Sequence, residues 1–204
     1  MRPGIAISAA AFLALAGCGS SPKTNYYALT PVVSAQPATG PIAAPVQLSA
    51  LHLPPSLDRD EIVTAGPGQS MQVSDTDRWT APLADMARNV LSEDLEKRLP
   101  PGSVILPDAP APQNAGNIVV AIERFGLGRD GKVELKGSWS LTRTGAKEPA
   151  LRREIAIEID AGSGDGAAAR GMSEALGALA GQIADGLAAF ESGAKGSPPS
   201  PART

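Results

Sequence analysis

Between positions 118 and 159 apolar residues fall on every second position in three successive stretches, and this pattern constrains the fold more than any other. Ile118, Val120 and Ile122 share one parity; Val133, Leu135, Trp139 and Leu141 share the next; Ile155, Ile157 and Ile159 share the third. Glu134, Lys136, Ser138, Ser140 and Thr142, and then Glu154, Ala156, Glu158 and Asp160, occupy the other parity. A period of two sends alternate side chains to opposite faces of a sheet, so the three stretches predict strands with one face on a core and one in water. GLGRDGK and RTGAKEP, which separate them, are good hairpin loops, so the strands should be antiparallel.

Two stretches carry the helical period instead. Leu83, Met86, Ala87, Val90, Leu91, Leu95 and Leu99 recur at three- and four-residue steps, with Asp85, Arg88, Glu93, Glu96 and Lys97 mainly off the stripe. Thr80 can cap this helix, Pro82 fits its first turn, and LPPG stops it. A second helix is expected over residues 166–191, with Met172, Leu176, Leu179, Ile183, Leu187 and Phe190 as its stripe. Glycines between Gly164 and Gly186 weaken it locally but permit close packing on a sheet.

Shorter strands are expected at YYAL (residues 26–29), at residues 46–54, at EIVT and SMQV on either side of AGPGQ, and at SVILP. In the stretch 46–54, Val46, Leu48, Ala50 and His52 share one face, and Gln47, Ser49, Leu51 and Leu53 the other. The fold class that follows is α+β: a largely antiparallel or mixed sheet with two long helices on its apolar face.

Chemistry is sparse. A net charge of −3, with Lys and Arg scattered, leaves neither a nucleic-acid footprint nor a polybasic membrane patch. His52 is the one histidine and Cys18 the one cysteine, so an internal disulfide is impossible and zinc-type ligand sets are out of reach. No G-x-S-x-G elbow occurs, and GSGDG at 162–166 is not followed by the Lys of a phosphate loop. Asp58, Asp60 and Glu61 resemble a cation cluster, but a solvated loop is the better reading, and the same holds for Asp75 and Asp77. The expectation is a protein that is not an enzyme and holds no metal or cofactor.

Cys18 is the exception. Arg2 precedes an apolar run of 11 residues, IAISAAAFLAL, which is signal-peptide length and too short to span a bilayer. The run ends in Leu15, Ala16, Gly17 and Cys18, the pattern of a bacterial lipobox. Small residues before the cysteine admit a signal peptidase. The thiol takes a diacylglyceryl group, and the amine freed by cleavage takes a further acyl chain. Two or three chains anchor far more firmly than one. Gly19 stands where Asp would retain such a protein at the inner membrane, which points to the outer membrane. The expected organisation is a signal peptide at 1–17, a lipidated N-terminus and tether at 18–45 that includes the short YYAL strand, a folded domain at 46–191 and a disordered tail at 192–204.

YYAL, then LHLPPSLDRDEIVT, then DRWTAPLADMARNVLSEDLEKRLP, in that order behind a lipobox, resembles the ABC-type transport auxiliary lipoprotein family, the PqiC-like proteins. Leu53, Pro54, Leu57, Asp58, Arg59, Ile62, Val63, Arg78, Trp79, Pro82, Leu83, Leu91, Leu95 and Leu99 match; Thr80 and Ala81 depart, where Ala and Glu are usual. The resemblance is specific over residues 18–100 and extends further only as an order of elements. It implies a non-catalytic outer-membrane lipoprotein facing the periplasm. Its partners would be an MCE-domain transport protein and associated ABC transporter components, with a homo-oligomeric ring and a role in lipid transport and membrane integrity. Leu57, Asp58, Arg59, Arg78 and Trp79 are then partner or structural positions. Trp79 either staples the helix to the sheet or meets a partner; Arg78 either pairs with Asp58 or Asp77 or reaches outward. The alternative is a stand-alone lipoprotein that binds a lipid or small ligand.

Overall fold

The computed structural model describes residues 22–32 and 42–195. Its strands are β1 (Asn25–Tyr27), β2 (Val46–His52), β3 (Glu61–Ala65), β4 (Met71–Trp79), β5 (Val104–Ile105), β6 (Gly116–Leu127), β7 (Lys132–Arg143) and β8 (Leu151–Asp160); its helices are α1 (Leu83–Arg98) and α2 (Asp165–Lys195). They form two sheets rather than the single one expected: five strands in the order β5-β2-β6-β7-β8, and three in the order β1-β4-β3. β6 pairs with β7 and β7 with β8 antiparallel, as the hairpin loops require. β2 runs parallel to both β5 and β6, so the large sheet is mixed.

Burial follows the alternation in β7 and β8, where Val133, Leu135, Trp139, Leu141, Ile155 and Ile157 all lie in the core. In β2 it does not. The register slips between Leu48 and Ala50, leaving Ser49 unpaired. Such a bulge reverses the parity of everything after it, so Leu51 is buried and His52 exposed, the reverse of the expected faces. A second slip, between Ile122 and Arg124, lets Ile122 and Phe125 both point inward.

α1 packs on β2, β5 and α2, and α2 crosses β6, β7 and β8. The stripe expected for α1 is buried, except that Met86 is partly exposed. Thr80 is not its cap. The Pro82 carbonyl accepts the first bonds, from the Asp85 and Met86 amides at 3.1 Å each, while the Thr80 hydroxyl faces Met86 Sδ at 3.5 Å. Thr80 stands two residues before the cap position, Pro82, too far to reach the free amides of the first turn. In α2 the missing side chains let neighbours close in: a Cβ at Gly186 would stand 2.7 Å from the Trp139 ring, and one at Gly181 3.0 Å from the Arg98 guanidinium. α2 continues to Lys195, past the expected end at 191; residues 196–204 lie outside the described part.

The segment expected as tether is partly built into the domain. β1 pairs with β4, and Leu29 is buried. The Thr30 amide donates to Ser173 Oγ at 3.1 Å, and Val32 lies against Gly177. This strap follows α2 from its N-terminal end toward its middle.

Candidate functional site

Cys18 lies outside the described residues, and the structure bears on it through where the chain enters the fold. β1 has only three residues, too few to stay paired on strand propensity alone, so something must hold it. Asp77 does. Its carboxylate accepts from Asn25 Nδ2 at 2.9 Å, Thr76 Oγ1 at 2.8 Å and Ser74 Oγ at 3.0 Å. These bonds, led by the Asn25 amide, lower its pKa to about 2. Hydrogen bonding to Asp77 raises the Tyr27 phenol in turn. A depressed carboxylate stabilises the fold above its ordinary pKa and loses that contribution only as pH falls toward 2, so the knot should persist through mild acid. Asp77→Ala is expected to speed amide exchange at Tyr26 and Tyr27 by roughly tenfold, the loss of about one net hydrogen bond, with exchange in α1 unchanged. Hydrogen–deuterium exchange mass spectrometry reads both.

The motif residues gather at one end of the small sheet, Leu57, Asp58 and Arg59 just before β3 and Arg78 and Trp79 at the end of β4. Trp79 is 5% exposed and belongs to the core. Its amide donates to the Asp60 carbonyl at 2.7 Å, which ties β4 to the loop before β3. Arg78 pairs with neither Asp58 nor Asp77. Its Nη1 donates to Glu61 Oε1 at 2.8 Å, and Arg59 Nε lies 3.3 Å from the other oxygen of the same carboxylate. The two guanidinium groups hold Glu61 below its ordinary pKa, Arg78 foremost. Leu57 is buried under this loop; Asp58 and Arg59 are exposed. Arg78 and Glu61 face each other directly across the β3–β4 ladder, so the alternative pairing was hidden in a register the sequence does not display.

Asp94 is a carboxyl on the buried side of α1. It sits four residues after Val90 and three after Leu91, on the buried stripe, and its side chain is 1% exposed. Neither carboxylate oxygen has a well-formed hydrogen bond among the described residues, and the Val32 backbone on the strap offers a weak one. Burial raises its pKa to about 6.

Two open grooves flank the β3–β4 hairpin. One, about 450 Å³, runs past Leu57, Val63, Met71, Phe125 and Leu127; the other, about 370 Å³, lies between Gln72, Arg129 and the loop at Gly162 to Gly164. Among the described residues no cluster of His, Cys, Asp and Glu could hold a metal ion, and no helix is long and apolar enough to cross a membrane. What the arrangement offers is a short, well-fastened entry point for the chain and two exposed grooves.

A family model described as ABC-type transport auxiliary lipoprotein component matches residues 27–184. No curated protein matches the sequence. Among solved structures, the crystal structure of a Xanthomonas campestris protein assigned to the DUF330 family model superposes with a TM-score of 0.68 at 15% identity, covering 85% of this chain and 100% of that one. The crystal structure of an uncharacterized protein superposes with a TM-score of 0.66 at 19% identity, covering 80% of this chain and 97% of that one. At these identities the likeness establishes the fold.

Proposed function

This chain belongs to the family of ABC-type transport auxiliary lipoprotein components, and we propose that it is the lipid-anchored, non-catalytic subunit of an MCE-type intermembrane lipid transport system. Cys18 carries the diacylglyceryl and acyl chains, the protein faces the periplasm from the outer membrane, and it needs no other cofactor. One observation carries this reading. β1 begins seven residues after Cys18 and is fastened to the body by Asp77. A chain of that length spans at most about 25 Å, so the domain is held at the bilayer surface, where a periplasm-spanning partner would be received. The domain would dock the MCE-domain protein, as a ring of copies, and so support membrane integrity. The exposed Asp58 and Arg59 are the motif residues available for contact, while Leu57, Arg78 and Trp79 shape their loop.

Co-purification tests it. Full-length protein with a C-terminal tag is extracted mildly from membranes beside a Cys18→Ala control. The expected result is an MCE-domain partner with the wild type and loss of membrane association in the control; extraction with no transport component would overturn the docking role. The groove beside Phe125 favours a second reading, a lipid or small ligand held by the domain itself, for which native mass spectrometry would show a stoichiometric adduct.

A further inference from the structure

We propose that the β3–β4 hairpin is a second membrane contact, its tip resting in the interface of the bilayer that holds the Cys18 lipid. This rests on the lipidation reading and adds an orientation to it.

Direction carries the argument. β1 runs parallel to β4, with Asn25 opposite Asp77 and Tyr27 opposite Trp79. Traced backward from Asn25, the chain therefore heads toward the start of β4, which is the hairpin tip. Met71 lies six residues before Asp77, and at about 3.3 Å per residue the tip reaches up to about 20 Å past the start of β1. That is close to the longest reach of the tether, so a bilayer holding Cys18 lies within range of the tip. The strap gives the same direction independently. Val32 lies by Gly177, Thr30 by Ser173 and Tyr27 by Gly166, so the chain leaves the domain at the N-terminal end of α2.

The tip has the composition for the role. Residues 62–74 contain no charged side chain, although Glu61 and Asp75 bracket them. Met71 is 54% exposed and Val73 39%. Met71 pairs across the ladder with Ala65, which is also exposed, and Val73 with Val63, which is buried, so Met71, Val73 and Ala65 make one exposed apolar face. Isolated exposed apolar residues are ordinary, but a contiguous apolar face marks an interaction surface. The neighbouring β6–β7 turn presents Arg129, which is exposed and forms no ion pair among the described residues. Asp130 beside it is turned back to accept the Lys132 amide at 3.2 Å. A cation next to an apolar tip suits a phosphate headgroup above acyl chains.

The test uses the full-length lipidated protein in phosphatidylethanolamine–phosphatidylglycerol vesicles. Lipidation consumes the one native thiol, so Met71→Cys can carry a single environment-sensitive fluorophore. Lys147→Cys, in the loop between β7 and β8 at the opposite end of the sheet, is the control. Val73→Cys is a second probe of the tip should Met71→Cys fold poorly. At position 71 the expected result is a blue-shifted emission quenched about twofold by shallow spin-labelled lipid, with no quenching at 147. Flotation with the vesicles and a water-exposed probe at 71 would overturn the hairpin contact while sparing the anchor. A blue shift without quenching would place the tip against protein, such as a second copy, and also overturn it. Failure to float would overturn the lipidation reading and this inference with it.

Discussion

Gly137→Ala should cost about 3 kcal/mol or more and leave much of the chain unfolded, a cost at the upper end of what single substitutions do. Gly137 lies on β7, between β6 and β8, opposite Ile122 on one side and Ile155 on the other. Its φ is +157°, and a Cβ there would stand 2.1 Å from the Ala121 carbonyl oxygen and 2.9 Å from Ile122 Cα. Those atoms are backbone in a paired strand, so they cannot yield as a flexible side chain would. The Glu123 bulge on β6 brings that backbone close, and glycine is what lets the ladder continue through it. Gly193→Ala is the matched control, in the exposed last turns of α2 with open space around it. It should be neutral or stabilise by up to about 1 kcal/mol. Urea denaturation of the two variants and the wild type checks both; equal stability of Gly137→Ala and wild type would mean that β6 and β7 are not joined in this register.

The bulges also mark what the sequence conceals. Period-two alternation in β7 and β8 was enough to place their faces and their antiparallel pairing, and the three- and four-residue spacing located both helices. Those signals are local. Ser49 and Glu123 are bulges because of what their partner strands do, so the reversal of face at Leu51 and the slip before Phe125 cannot be read from alternation alone. The same holds for β1. Its partner β4 lies fifty residues on, and nothing in three residues announces that they will pair. The separate small sheet follows from that pairing, and with it the route by which the chain reaches its anchor. At the site, the lipobox at Cys18 and the family motif were legible because they are contiguous patterns. The Arg78 ion pair with Glu61 and the knot at Asp77 needed the register of strands far apart in sequence. Asp94 was the exception: its spacing from Val90 and Leu91 put a carboxyl on the buried stripe, and the helical period alone could have found it.

Asp94 makes the wild type less stable at neutral pH than at pH 4 to 5, by roughly 1–2 kcal/mol from this one group. The carboxyl lies where α1 meets α2 and the strap. On its own helix Lys97 stands 3.7 Å away, Arg98 adds a weaker attraction and Glu93 a repulsion. α2 presents Gly177, without charge, and the strap presents the Val32 backbone, whose hydrogen bonding favours the ionised form without offsetting burial. Desolvation therefore dominates and holds the pKa at about 6, against 3.8 for an ordinary Asp. A raised folded-state value means that the native protein binds the proton more tightly than the unfolded chain does. Stability must then fall as pH climbs from about 4 to about 6 and level off above. Asp77, Glu61, Glu134 and Asp108 are all shifted downward and act only below their ordinary values, outside most of this window. Asp165 is raised by burial as well, so the total slope is not Asp94's alone. The difference between wild type and Asp94→Asn isolates it. Asn keeps the shape and removes the charge, although its unpartnered amide costs about 1–3 kcal/mol at every pH. Denaturant midpoints measured between pH 4.5 and 7.5 should therefore give a downward slope for the wild type and a flatter one for Asp94→Asn. Parallel curves would mean that Asp94 is ionised without penalty, and that water or another partner reaches it between the helices.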